Sequence, residues 1–229
     1  MKMGFDDIIR AEDKKGGRRY LMWKDLSREW QTAFELTWEA FKSGSIPIGA
    51  MITDEAGNVL ITGRNQMSEN KIPNYRTAHA ETWCVRNLDI HKYPNFREYH
   101  LYTTMEPCPM CMGVIIMGGI RKIHVAAKDK YCGALHYLNY DPYMQSKQVQ
   151  VWLEDGEMGS VQIVQQAYHE HRRYAGEDSV VFKKIAEEYP REVALGRKLY
   201  EERFLERCVE ANMPYGDVYD SILNRLTEE

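Results

Sequence analysis

One histidine and two cysteines in this chain are spaced as a catalytic zinc site requires, with a carboxylate beside them. They stand in His79-Ala80-Glu81 and in Pro107-Cys108-Pro109-Met110-Cys111. A catalytic zinc ion takes three protein ligands and keeps its fourth position for water. His79, Cys108 and Cys111 meet that count. A C-x-x-C pair at a helix start puts both sulfurs on one side of the first turn, and the helix N-terminus favours thiolates over thiols. His79, at the start of a second helix, can face the same point. Glu81 lies two residues on, close enough to reach a metal-held water without being a ligand. Such a centre suits hydrolytic attack on a ring carbon that bears an exocyclic amine. Glu81 would take the water proton, pass it to the ring nitrogen and help ammonia leave.

Two plainer assignments compete. A C-x-x-C pair alone could be a redox couple or half of a structural zinc site. A structural site normally has four protein ligands, yet Cys84, Cys132 and Cys208 are isolated in the sequence. Cys84 is rotated well off the ligand face of its helix. A redox couple would need neither His79 nor Glu81. Catalytic zinc, with Glu81 as the proton carrier, is the expectation.

The positioning elements follow from periodicity. LSREWQTAFELTWEAFK (26–42) has Trp30, Phe34, Leu36, Trp38 and Phe41 at largely helical spacings, and Gly44 follows as a stop. Two runs of β-formers flank Glu55-Ala56-Gly57-Asn58, which predicts a hairpin. A helix is expected over 78–87, a strand over 100–105, and a helix from Pro109, a proline suited to a first helical turn, to about Gly118. Strands follow at 121–127 and 149–153. From about Gly159 the pattern is helical, broken at Gly176, Pro190 and Pro214-Tyr215-Gly216. Alternating strands and helices imply an α/β layer architecture. The expected organisation is an N-terminal arm (1–25), a catalytic domain (26–175) and a helical C-terminal extension (176–229) with too few core residues to fold alone.

The sequence has 229 residues and a formal net charge of −4, which gives no general attraction to nucleic acid or anionic lipid. No apolar run approaches the roughly 20 residues that span a bilayer. The first residues lack the apolar stretch of a secretory signal, so a cytoplasmic location is the default expectation.

The stretch from about Ile46 to Asp141 resembles the cytidine deaminase-like superfamily, within it the branch of bacterial tRNA adenosine deaminases and guanine deaminases. The matching residues are Pro47-Ile48-Gly49-Ala50, Gly63-Arg64-Asn65, Thr77-Ala78-His79-Ala80-Glu81, Leu101-Tyr102-Thr103-Thr104 and Glu106-Pro107-Cys108-Pro109-Met110-Cys111-Met112-Gly113. The signature H-x-E followed by P-C-x-x-C is that of the zinc deaminases of nucleobases. The resemblance implies a three-layer α/β/α sandwich around a five-stranded mixed sheet, one Zn2+ per chain, and a homodimer or higher oligomer. It implies that Asn65 bonds the substrate ring, that the Ala80 amide contacts the base beside the metal, and that Glu106 and Pro107 shape the turn presenting Cys108. Ile48 and Pro107 are counted among the substrate contacts.

Two further substrate contacts come from the segment after Asp129. Its aromatic density (Tyr131, His136, Tyr137, Tyr140, Tyr143) suggests a wall that could stack on a heterocycle, with Tyr137 as candidate. Guanine deaminases carry a base-reading aspartate in this region. Counting puts Asn139 there, and Asp141 stands two residues later.

The function expected is deamination of a free nucleobase or nucleoside, a purine such as guanine, guanosine or adenosine favoured. The alternatives are a tRNA adenosine deaminase and a zinc-containing binding protein without turnover. The tRNA substrate would need a basic surface, for which the clusters at 14–19 and 171–173 are the candidates, so a nucleic-acid partner is not expected. The intact Glu81 argues against a binding protein.

Overall fold

A computed structural model describes residues 21–154, 156–175 and 179–228. Residues 1–20 of the expected arm (1–25), with its basic cluster, and the break at Gly176 lie outside the described residues; the arm's end is not loose, since Met22 and Trp23 pack against the core.

The first long helix, α1 (Arg28–Lys42), is capped by Ser27, whose side chain accepts from the Trp30 amide. It buries Trp30, Phe34, Trp38 and Phe41; Leu36, expected with them, is only half-buried, because it lies two positions from both Phe34 and Trp38 and so turns off their face. The hairpin forms as expected. Strand β1 (Gly49–Thr53) turns at Asp54 into β2 (Val59–Arg64). The Asp54 carboxylate holds the turn by accepting from Ala56 N at 2.9 Å and Asn58 N at 2.8 Å.

Helix α2 (Ala80–Asn87) follows the hairpin, then β3 (His100–Met105), α3 (Pro109–Met117), β4 (Lys122–Ala127), the short α4 (Tyr137–Tyr140) and α5 (Pro142–Gln145), β5 (Gln150–Leu153) and the long α6 (Glu157–Arg173). The strands form one sheet in the order β2-β1-β3-β4-β5. β1 is antiparallel to β2 and β3, whereas β3, β4 and β5 run parallel. Side chains alternate across it as strand geometry demands. Leu101, Ile123, Val125 and Val151 join the core under α2 and α3. Tyr102 and Ala126 face the opposite core, under α1 and α6. The result is a three-layer α/β/α sandwich around a five-stranded mixed sheet, the architecture that the resemblance implied.

Two glycines set how closely the layers approach. A β-carbon on Gly49 would fall 2.1 Å from the Ala33 carbonyl oxygen, so only glycine lets α1 lie this low on β1. One on Gly63 would meet Ala80 O at 2.6 Å and Cys84 Sγ at 2.7 Å. Gly63 thus lets the start of α2, the segment beginning with His79, sit down on β2.

After α6 come α7 (Val180–Glu188), α8 (Pro190–Glu201), α9 (Phe204–Glu210) and α10 (Tyr215–Thr227). Arg203, at φ 51°, adds a break between α8 and α9 that no glycine or proline announces. These helices carry more core than the sequence suggested. Leu195, Leu199, Leu205, Val218, Tyr219, Ile222 and Leu223 are buried in one cluster with Trp30, Phe34, Phe41 and Tyr168. Their apolar residues are divided among helices too short to show a convincing period alone. Helix α7 goes elsewhere. Phe182 and Ile185 pack with Met105 and Ala127, at the ends of β3 and β4, and Ile48 lies against that cluster. Of the extra helices, α7 therefore approaches the rim where the strands end, while α8 and α10 back the far face. Among the described residues no helix is long and apolar enough to cross a membrane.

Candidate metal centre and active site

Helices α2 and α3 point their N-termini at one place. His79 is the residue before α2, Cys108 the residue before α3, and Cys111 lies in the first turn of α3 after Pro109. The unpaired amides and dipole of each helix start favour negative charge there. His79 Nδ1 lies 3.6 Å from Cys108 Sγ and 3.5 Å from Cys111 Sγ. These three donor atoms form a group in which all lie within 4.8 Å of one another. Zn–S bonds near 2.3 Å and Zn–N bonds near 2.0–2.1 Å imply an N···S edge of roughly 3.6 Å in a tetrahedron. The donor set and its spacing therefore fit zinc, with a fourth position left open.

The environment prepares these groups. The Cys108 thiol is pushed well down, chiefly by the neighbouring Cys111 and Cys132 thiols and then by His79. Cys111 is pushed up in turn, chiefly by its bond to the Cys108 thiolate and by burial. Burial pulls His79 down, yet the Cys108 contact and the Glu81 charge outweigh it and leave the imidazole more basic than usual. The His79 ring also bonds the backbone carbonyl of Arg76, the kind of outer partner that fixes the orientation of a metal-binding histidine. Thr82 Oγ1 lies 3.4 Å from Cys111 Sγ.

Glu81 is 3% exposed. Burial raises its carboxyl above the usual range. Its Oε2 accepts from Cys111 Sγ at 3.5 Å. A carboxyl group at the edge of a three-donor metal site is of the type that can both take and give a proton.

The other predicted residues are distributed unevenly. Asn65 is buried; its N–H donates to Ile48 O at 2.9 Å, and its Oδ1 accepts from Met67 N at 3.0 Å. The next residue, Gln66, bonds Ala78 O at 2.9 Å, which ties this turn to the His79 segment. Ala80 is fully buried on α2, and Pro107 directly precedes Cys108. Ala80 and Pro107 thus adjoin the donor cluster along the chain, Ile48 packs against the core that contains Cys111, and Asn65 is joined to Ile48. Tyr137 is partly exposed and its N–H bonds Ala134 O, one turn beyond the residue whose N–H donates to Pro107 O. Asp141 is exposed and caps α5, its Oδ1 accepting from Met144 N at 2.8 Å. From there the chain runs to Tyr143, whose hydroxyl meets Met117, at the end of α3 away from Cys108.

Glu106, expected to shape the turn that presents Cys108, does so through the following loop. Its Oε2 accepts from Asp129 N at 3.1 Å and its Oε1 from Leu135 N at 3.0 Å. It straps the 129–135 loop to the turn that presents Cys108. Cys132, isolated in sequence, is carried by this loop to Cys108. A strap between residues more than twenty positions apart leaves no periodic signal.

A family model described as the cytidine and deoxycytidylate deaminase zinc-binding region matches residues 24–127. A tRNA-specific adenosine deaminase of Haemophilus influenzae is 34% identical over 123 residues, covering 52% of this chain and 69% of that protein. The chain belongs to this deaminase family. A probable cytosine deaminase of Schizosaccharomyces pombe is 34% identical over 100 residues, covering 44% of this chain and 58% of the relative. A solved guanine deaminase from Bacillus subtilis superposes with a TM-score of 0.38 at 29% identity, over 45% of this chain and 66% of that one. His79, Glu81, Cys108 and Cys111 all fall within the zinc-binding region of the family. The segment beyond residue 127 that holds Cys132 and α7 falls outside it.

Proposed function

We propose that this chain is a zinc-dependent hydrolytic deaminase of a free nucleobase or nucleoside, with a purine such as guanine, guanosine or adenosine as the favoured substrate. The observation that carries the reaction class is the three-donor cluster of His79, Cys108 and Cys111 with a buried Glu81 touching one of its sulfurs. His79, Cys108 and Cys111 would hold the zinc. Bound there, zinc supplies a Lewis acid that brings the acidity of water toward neutral pH. The Glu81 carboxylate accepts a proton at the metal edge, delivers it to the ring nitrogen, and serves again as the amine departs. Burial, which raises its pKa, makes the carboxylate a better proton acceptor than an exposed glutamate.

Substrate contacts are assigned to the residues at the cluster's border. The Asn65 Oδ1 is engaged by Met67, so its contribution to the ring comes from the amide nitrogen. The Ala80 amide belongs to the unpaired first turn of α2 and faces the reacting edge of the base. Ile48 and Pro107 supply apolar walls, Tyr137 a stacking surface, and Asp141 a more distant polar contact.

Charge around the site supports a small substrate. Arg64 and Lys71 are both paired with Glu69, and Lys130 pairs with Glu188 at 3.2 Å. The 171–173 cluster is occupied as well: the Arg172 guanidinium bonds Phe41 O and stacks 4.0 Å from the Phe41 ring. Cations already paired or packed offer little to a polyphosphate. A second reading, a tRNA adenosine deaminase, is favoured by the relative from Haemophilus influenzae that bears that name. For assembly we infer a homodimer or higher oligomer, on the ground that Met117 and Tyr140 stand 73% and 78% exposed with Trp83 and Tyr143 on the α2–α5 side.

The decisive experiment is ammonia release from purified, zinc-analysed protein given guanine, guanosine, adenine, adenosine, cytosine and cytidine. Turnover of a purine is expected, lost on chelation and restored by zinc. Ammonia from none of these, with inosine formed in tRNA, would overturn the small-substrate assignment.

A further inference from the structure

Cys132 is a thiol that neither the fold nor the deamination chemistry uses. It is exposed, whereas Cys84 and Cys208 are buried. It reaches the metal centre because the 129–135 loop is fastened there at several points. Glu106 accepts from the amides at both ends of the loop, Asp129 and Leu135. Ala134 N donates to Pro107 O at 3.0 Å, one residue from Cys108. A β-carbon on Gly133 would lie 2.3 Å from the Glu106 carboxyl carbon, so glycine is what allows this contact. Within the loop, Cys132 N bonds Asp129 Oδ1 at 2.8 Å and Gly133 N bonds Asp129 O at 2.9 Å. The turn so formed presents the Cys132 thiol to Cys108 Sγ. The cluster of mutually close donors contains His79, Cys108 and Cys111 and not Cys132. Cys132 therefore stands beside one ligand rather than completing a closed four-ligand site.

We propose that Cys108 and Cys132 form a reversible disulfide under oxidation by a peroxide, and that this removes a ligand and expels the metal. One sulfur of the pair attacks the O–O bond of the peroxide, becomes a sulfenic acid and releases hydroxide. The other sulfur attacks the sulfenic sulfur, the S–S bond forms and a second hydroxide leaves. The two thiol protons convert these to two waters, and the peroxide has taken up the two electrons lost by the sulfurs. A dithiol reductant reverses the change and restores the ligand. Oxidation of the centre is thereby captured as a disulfide before Cys108 reaches the irreversible acids.

The inference rests on zinc being held by His79, Cys108 and Cys111, and its test separates the two. Zinc-loaded protein is treated with hydrogen peroxide beside a colorimetric zinc chelator, then digested without reduction and examined by mass spectrometry. Wild type should lose its zinc and yield a Cys108–Cys132 linked peptide, both reversed by dithiothreitol and zinc. Cys132→Ser, a small change at an exposed position, should fold and hold zinc, give no such peptide, and keep its metal over the same interval. Zinc-loaded wild type in which peroxide links Cys108 to Cys111 while Cys132 stays a free thiol would overturn the inference. So would equal zinc loss from Cys132→Ser. Protein that never takes up zinc would instead overturn the metal assignment itself.

Discussion

The Glu81 carboxylate and the Cys111 thiol share one buried contact of 3.5 Å, so the proposed proton carrier and a proposed metal ligand are held in fixed register. Both sit in the first turns of their helices, α2 and α3, whose N-termini converge. Neither side chain can shift without disturbing the other. This coupling explains why a carboxylate two residues from His79 is placed to serve the metal edge without competing as a ligand.

Replacing Glu81 with Gln keeps the shape and removes the exchangeable carboxylate. Zinc content should stay at the wild-type level while turnover falls by about 10²–10⁴-fold, the range of a general acid–base group. Metal analysis and ammonia release on the same sample check this. Wild-type turnover in the variant would remove Glu81 from the chemistry.

Glu106 offers a different test. Glu106→Ala leaves the amides of Asp129 and Leu135 without their acceptor, and Leu135 is 2% exposed. An unsatisfied buried donor costs about 1–3 kcal/mol, so the melting temperature should fall. The loop should also become more susceptible to protease between β4 and α4. An unchanged melting temperature and protease pattern would mean that the strap does not hold the loop.

The site was more legible in the sequence than its supports. His79, Glu81, Cys108 and Cys111 are betrayed by residue type and spacing, because metal chemistry tolerates few substitutes and helix starts fix short separations. The strands were also readable, since β3 falls on the predicted residues 100–105. Cys132 was not placed, and Glu106 was placed at the Cys108 turn without its partners Asp129 and Leu135, because these are distant in the chain and no local pattern encodes a tertiary strap. The buried residues of α8–α10 were underweighted for a related reason: Leu199, Val218 and Tyr219 become core only through α1 and α6. Asp141, considered as a base-reading residue, has a helix-capping role in the structure.

Stability should fall in mild acid through His169. This side chain is 3% exposed, and burial, with Arg172 and Arg173 nearby, depresses its pKa to about 3. Arg172 Nη2 lies 3.2 Å from His169 Nδ1, and its Nη1 faces Glu206 at 3.9 Å. The native state keeps the ring neutral, while the unfolded chain binds a proton near the ordinary value of 6.5. The contribution is therefore complete above pH 6.5 and is lost as pH falls toward 3, at about 1.4 kcal/mol per pH unit inside that window. Urea titrations at pH 7 and pH 5 should show a larger loss for wild type than for His169→Gln. Equal losses would mean that His169 is already protonated in the fold.

The C-terminal helices should prove indispensable to the deaminase layers. Leu195, Leu199, Leu205, Val218, Tyr219, Ile222 and Leu223 close the outer side of a core whose inner side is Trp30, Phe34, Phe41 and Tyr168. Burial of such side chains stabilises by about 1.5–3 kcal/mol each, and their loss would bare a contiguous aromatic surface of the kind that drives association. A chain ending at Ala175 should therefore be insoluble or bind a hydrophobic dye strongly, and should fail to retain zinc. The metal ligands would all be present, so the failure would lie in packing. Helix α1 lies on β1 through Gly49 and β1 pairs with β3, which leads directly into the Cys108 turn, so loosening α1 loosens the centre. A soluble, zinc-holding, cooperatively melting 1–175 fragment would show instead that the extension only decorates a complete domain.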